Sequence, residues 1–552
     1  MKKTNLFFLT ALACCVTLFV SCNSKPKQES EPETKKEMTL QEKVEEFAMV
    51  ELSSPLVNNL TENEKALIPI FVEIADIMDR LFWKQTYGDK TEIEKISDAW
   101  AKEFAVINYG PWERLNNNVA FIDGYGEKPL GCQYYPTDIT KEEYEAYTCP
   151  DKGSLYTVLR RNEDGSLRTV WYRDEYKEEI TKVCALLDKA IPLADDPGLK
   201  KYLEERKKAF ETDDYFASDM VWMDMKESKI DFVVGPIENY DDKLNEAKAS
   251  YEGFILLKDE KRSADLAKFV SLLPQLQTEL PGEAKYKTFV PGTSSDLNVY
   301  DAVYYAGDCN SGSKTIAINL PNDDRVQKAK GARRLQLRNS MQAKFDKILL
   351  PISDLIIEPA QRQYVKFDAF FWNVTFHEVA HGLGIKQTLD GRSVDEALDI
   401  EKTSWEEAKA DILGLFLTCN LIGKGEITGI TVEDAITTYI AGILRSVRFG
   451  ASSSHGKANM MCYNYMEKEG AFSRNEDGTY HIDFDKAKAS IDSWGALILK
   501  VQGDGDLAFA TQFRAENGGI GEALQADLDK INNAGIPRDI RFKQGLETLG
   551  LK

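Results

Sequence analysis

The chain has 552 residues, 43% of them hydrophobic and 29% charged, an ordinary globular balance with enough apolar matter for more than one lobe. Its formal net charge is −21, and no long Lys/Arg cluster occurs beyond the first residues. That excludes nucleic acid as a main partner, because phosphate binding needs positive charge gathered on one face.

The N-terminus is a targeting segment. Lys2 and Lys3 precede the apolar run LFFLTALACCVTLFV, the pattern of an export signal. The run ends in FVSC, which resembles a bacterial lipobox with Cys22 as the acylated residue and makes 1–22 a lipoprotein signal peptide; an ordinary signal peptide cut nearby is the alternative. Lipid on Cys22 implies an exported bacterial lipoprotein, anchored on the periplasmic or cell-surface side without spanning the bilayer. Residues 23–45 open on NSKPKQESEPETKKEMTL, almost free of apolar side chains, and read as a flexible tether. No later run is long and apolar enough to span a membrane. Cys132, Cys149, Cys184, Cys309, Cys419 and Cys462 are scattered without C-x-x-C spacing, which argues against a cysteine metal site. A Cys132–Cys149 disulfide stays open in an exported chain.

Along the body, TENEKALIPIFVEIADIMDRLF (61–82) reads as a helix. Thr61 and Glu64 form a capping box, and Leu67, Ile70, Phe71, Ile74, Ile77, Met78 and Leu81 form one apolar stripe. Residues 108–137 are rich in Gly, Asn, Pro and aromatics, as in irregular structure with short strands. LYTVLRR and LRTVWYR flank a turn sequence and read as a β-hairpin over 155–173. Helical patterns follow from 176 to 212. IDFVVGP, YEGFILL and VYDAVYYA read as strands, and KTIAINLPNDD as a strand into a turn. From 324 to 535 the patterns are almost wholly helical, and no internal repeat occurs. The fold class is α+β, a mixed part beside a large helical part.

TFHEVAHGLG (375–384) carries the chemistry. His377 and His381 are four apart on a helix, so both imidazoles sit on one face, one turn apart, and can reach one tetrahedral Zn²⁺. Glu378 projects beside the metal, where it can take a proton from water. With four His in the chain, chance produces this motif roughly 0.002 times. A third ligand is needed, and SWEEAKADILGLF (404–416) offers one. Glu407 and Asp411 are four apart on one face of a helix; an E-x-x-x-D helix downstream of H-E-x-x-H resembles the glutamate-ligand zincins, which implies a Glu that binds the metal and an Asp that holds a ligand histidine in the right tautomer. His455 lies in a Gly- and Ser-rich loop, RSVRFGASSSHGKANMM.

These segments, with INYGPWERL (107–115), VGPIENYDD (234–242), INLPNDDRVQ (318–327) and RFGASSSHGKANM (448–460), resemble the dipeptidyl peptidase III family of zinc metallopeptidases. The resemblance implies one Zn²⁺ per chain, held by His377, His381 and Glu407. It implies Glu378 as general base, and Glu406 and Asp411 as carboxylates behind the ligand histidines. His455 is implied as oxyanion stabiliser, with Asn319 and Asn322 holding the peptide's backbone and amino end. The family fold implies two lobes around a wide cleft. The lower, mixed lobe would hold a small β-barrel and span 46–257, 302–345 and 535–552. The upper, helical lobe would span 258–301 and 346–534. Two departures stand out. The family hallmark places one more residue between its histidines. Where the family has a Glu and a Tyr at the substrate's amine end, this chain aligns Asp231 and Val233.

The expected reaction is zinc-dependent hydrolysis of oligopeptides with release of N-terminal dipeptides. A surface-anchored, non-catalytic peptide-binding lipoprotein and a zinc amidohydrolase acting on a non-peptide substrate stay open as alternatives.

Overall fold

A computed structural model describes residues 38–290, 296–448, 450–451 and 453–551. The export signal, Cys22 and the first part of the tether lie outside the described residues. Leu40–Glu45, within the stretch read as tether, instead form a short helix, with Val44 buried against Phe47, Phe104 and Ile107.

The strands that shape the molecule are, in chain order, β1 (Phe47–Glu51), the hairpin β2 (Thr157–Arg161) and β3 (Leu167–Trp171), β4 (Ile230–Glu238), β5 (Ser250–Lys258), β6 (Asp296–Gly307), β7 (Ala317–Leu320), β8 (Arg333–Leu337) and β9 (Asp539–Lys543). The long helices are α1 (Glu62–Thr86), α2 (Lys177–Ala190), α3 (Pro197–Thr212), α4 (Glu260–Glu279), α5 (Phe367–His381), α6 (Lys402–Gly423), α7 (Val432–Val447), α8 (Ser454–Lys468) and α9 (Phe484–Asp504).

Helix α1 starts where its capping box dictates. Thr61 Oγ1 accepts from Glu64 N at 3.1 Å, and Glu64 Oε2 accepts from Thr61 N at 2.8 Å. The apolar stripe of α1 packs on the sheet, with Phe71 stacked on Phe232 at a centroid distance of 4.2 Å. The sheet has five strands in the order β4-β5-β6-β8-β7. Strands β4, β5 and β6 are antiparallel neighbours, β8 runs parallel to β6, and β7 runs antiparallel to β8. The small barrel expected of the mixed lobe is thus a half-barrel, with β4 and β7 at its edges.

Strand β8, RRLQL, falls in the region read as helical. Five residues are too few to show a period, and the run becomes a strand by pairing with β6 and β7. A second hairpin, Phe472–Arg474 with Tyr480–Ile482, also interrupts the helices. Strand β1 pairs in parallel with β9 and ties the two ends of the body together.

Two large apolar cores result. One gathers α1, α2, α3 and the half-barrel; the other gathers α4 to α9 around Trp405, Trp494 and Phe376. Each fully buried large apolar side chain contributes about 1.5–3 kcal/mol. Met341, Phe345, Ile536 and Ile540, assigned from sequence to the mixed lobe, pack in the helical core. The chain turns out of the sheet directly after β8, and Met341 and Phe345 follow it. The cysteines from Cys132 onward are free, so no Cys132–Cys149 bridge exists here; Cys132 Sγ donates to Asp241 O at 3.3 Å.

Candidate active site

Helices α5 and α6 meet where α6 has no side chain. A Cβ on Gly414 would fall 2.7 Å from His377 N and 2.9 Å from His377 Cα. Close approach of this kind needs glycine. It brings Glu407, about two turns earlier on α6, against the HEVAH face.

His377 Nε2 and His381 Nε2 lie 3.5 and 3.7 Å from Glu407 Oε2. A tetrahedral ion with ligand bonds of about 2.0–2.2 Å sets its ligand atoms about 3.3–3.6 Å apart, so the residues fit a divalent metal. Among the described residues, these three form the one group of His, Cys, Asp or Glu with ligand atoms within 4.8 Å of one another.

The outer nitrogens are held by carboxylates. His377 Nδ1 is 2.7 Å from Asp411 Oδ1, and His381 Nδ1 is 3.1 Å from Glu406 Oε1. A proton on each Nδ1 leaves the Nε2 lone pair for a metal. Asp411 is fixed in turn by Asn459 Nδ2, which donates at 3.0 Å, and Glu406 by Lys409 Nζ, which donates at 2.7 Å. Burial opposes charge on His377, but the Asp411 charge and hydrogen bond, with Glu378 and Glu407 beyond, push its pKa up to about 9. Burial pushes the Lys409 ammonium down to about 8 against the pull of Glu406.

His455 stands in the first turn of α8, and its Nδ1 is 3.1 Å from Glu407 Oε2. The Glu407 carboxylate at this distance raises its pKa, against the opposing effect of burial. A cavity of about 450 Å³ opens beside the group, lined by His377, Glu378, His455 and Asn459 from the helices and by Thr315 to Ala317 from the half-barrel.

The residues expected at the substrate's amine end divide. Asn319 and Asn322 are exposed, Asn319 on edge strand β7 and Asn322 just beyond it. Asn322 Nδ2 donates to Glu238 Oε2 at 3.2 Å and to Ile237 O at 3.3 Å. Asp231 does not join them. It is wholly buried, accepts from Trp222 Nε1 at 2.9 Å, and pairs with Arg333 at 3.0 Å. Arg333 points inward from β8 and needs a counter-ion in the core, and Asp231 supplies it. Val233 is buried too and lines a separate pocket of about 350 Å³ with Trp222 and Asn322. The carboxylate beside Asn322 is Glu238, where burial, with Asp308 nearby, pushes the pKa up to about 7.

Sequence reading passed over Glu238, Lys409 and Gly414. Lys409 follows Glu406 by three, a readable helix pair. Nothing in the local sequence marks Gly414 as a crossing point.

A helix carrying H-E-x-x-H, crossed by a second helix that adds a carboxylate beside a substrate-sized cavity, makes this chain a metallopeptidase. Comparison with known proteins agrees. The profile of peptidase family M49 matches residues 154–394. Nudix hydrolase 3 of Arabidopsis thaliana is 31% identical over 574 residues, covering 91% of this chain and 73% of that protein. Dipeptidyl peptidase 3 of Mus musculus is 24% identical over 417 residues, covering 68% of this chain and 52% of that protein. The solved structure of DPP III from Caldithrix abyssi superposes with a TM-score of 0.88 at 35% identity, over 93% of this chain and 100% of that one. That of dipeptidyl-peptidase III from Corallococcus sp. strain EGB gives 0.82 at 33%, over 93% and 98%. The chain belongs to the dipeptidyl peptidase III family, peptidase family M49, and its substrates are peptides.

Proposed function

We propose that the protein releases dipeptides from the N-terminus of oligopeptides with one zinc ion held by His377, His381 and Glu407, and that it works outside the cytoplasm, tethered by lipid on Cys22. The observation that carries this reading is the convergence of both Nε2 atoms on Glu407 Oε2 at 3.5 and 3.7 Å. Zinc bound there supplies a Lewis acid for the scissile carbonyl and lowers the pKa of water.

The chain's own groups do the rest. Glu378 takes a proton from the attacking water and returns it to the leaving amine. His455, which lines the cavity beside Glu378, donates to the developing oxyanion. Asp411 and Glu406 keep the two ligand imidazoles turned with Nε2 inward. Strand β7 is an edge strand with free backbone groups, able to pair with an extended peptide. Asn319 and Asn322 hold the peptide's amino end, and Glu238 makes the amine contact that buried Asp231 does not. A fixed amine end sets the product length.

The test is mass spectrometry of an oligopeptide mixture digested by the chain from residue 40, with and without chelator. Dipeptides lost on chelation support the reading. Products of other lengths would sink the dipeptidyl specificity, and no cleavage with zinc bound would leave a peptide-binding protein. Labelling with palmitate in a bacterial host, compared between the full chain and Cys22→Ala, tests the anchor; label retained by Cys22→Ala would refute it.

A further inference from the structure

The cavity that adjoins His377 and Glu378 has a basic stretch of wall, formed by Lys314, Lys344 and Arg445. Lys344 Nζ pairs with Asp539 Oδ2 at 3.1 Å and donates to Ser313 Oγ at 3.1 Å. Lys314 Nζ donates to Asn310 O. Arg445, on α7, has neither an ion pair nor a hydrogen bond among the described residues. Its Nε is sealed from solvent without a partner, and its guanidinium only flanks the Phe370 ring at 5.9 Å. The three cations share Asp539, which Lys344 already holds, and the other carboxylates of the cavity, Glu378 and Asp411, belong to the candidate metal site. The rest of the chain is strongly acidic, at −21 overall. The sealed Nε without a partner costs about 1–3 kcal/mol, and the terminal nitrogens of the half-buried guanidinium stay accessible at the cavity wall, where a carboxylate can be gripped with two parallel hydrogen bonds.

The direction of the peptide follows from the proposed function, on which this inference rests. With the amino end at Asn319 and Asn322, the wall from Ala317 back to Ser313 leads away from that end, along the cavity, toward the basic stretch. An extended chain rises about 3.3 Å per residue, so a peptide of about five or six residues spans this run. We propose that Arg445, backed by Lys314 and Lys344, receives a carboxylate of the substrate downstream of the cleaved bond. The carboxylate is either the C-terminus of a short peptide or an acidic side chain.

Three pentapeptides distinguish these sources: one with a free C-terminus, its C-terminal amide, and the amide with Glu in place of a downstream Gln. The zinc-loaded protein is expected to cleave a carboxylate-bearing peptide with kcat/KM higher by about tenfold or more than the neutral amide. The favoured peptide identifies the source. Arg445→Gln should bring the ratio near one, and Arg445→Lys should restore part of it. Equal values for all three peptides in the parent, or a ratio retained in Arg445→Gln, would overturn the proposal. Cleavage of the neutral amide checks the peptidase reading separately. Should no peptide be cleaved, calorimetry of the same peptides with Glu378→Gln still decides. Tighter binding of the acid that Arg445→Gln removes supports the inference, and equal binding overturns it.

Discussion

Gly414 lies so close to His377 that a Cβ at 414 would fall 2.7 Å from the histidine's backbone nitrogen. The neighbour is backbone within a helix, not the end of a flexible side chain, so α5 and α6 must separate to admit a methyl group. Gly414→Ala is expected to destabilise the protein by about 1–3 kcal/mol, the range for overpacking. It should also weaken metal binding, because Glu407 reaches the histidines only through this crossing. Thermal melts and a metal titration check both, and parental zinc affinity in the variant would contradict the link between crossing and site.

Glu378 sits between the two histidines and lines the cavity without lying in the ligand triangle. Glu378→Gln keeps its size and removes its basicity. Metal content should stay at one ion per chain while kcat falls by about 10²–10⁴-fold. Elemental analysis and peptide turnover measure the two separately. Loss of metal together with activity would mean that Glu378 is a ligand instead.

Much of this site is legible in the sequence, because helical spacing alone puts His377 with His381 and Glu407 with Asp411. Thr61 and Glu64 likewise announce the start of α1. What escaped reading depends on pairing across long distances. Strand β8 is defined by β6 and β7, and β1 by β9, some 490 residues away (Phe47 with Asp539). Asp231 shows the same limit. Its position in β4 can be aligned, but whether it faces substrate or core depends on Arg333 of β8. The sequence carries a carboxylate at the right place in the motif, and the fold uses it as a counter-ion.

Asp411 and Glu406 face the Nδ1 atoms of His377 and His381 and would orient both imidazoles toward a metal. Asp411→Asn and Glu406→Gln should each reduce metal affinity by about 10–100-fold. Asp411→Asn is expected to matter through His377, and Glu406→Gln through His381. Competition against a chromogenic chelator measures the loss. If the double variant loses no more than one single variant, the two carboxylates serve one shared contact and not two separate ligands.

Asp213 gives the fold a pH dependence that can be read apart from catalysis. It caps the end of α3 with φ +58°, its side chain is buried, and its Oδ1 has no hydrogen-bond partner. Arg173 N donates to Oδ2 at 3.0 Å, but burial dominates and pushes the carboxyl up to about 7. The unfolded value is about 3.9, so the folded state binds the proton more tightly. The stability from this group is therefore complete below about pH 4 and is lost as pH rises toward about 7, a change on the order of 4 kcal/mol. Asp213→Asn stays neutral, and asparagine tolerates the left-handed backbone. Urea unfolding at pH 5 and pH 8 should show the parent losing stability across that interval from this site and the variant losing less. A variant with the same difference between the two pH values as the parent would place the buried charge elsewhere.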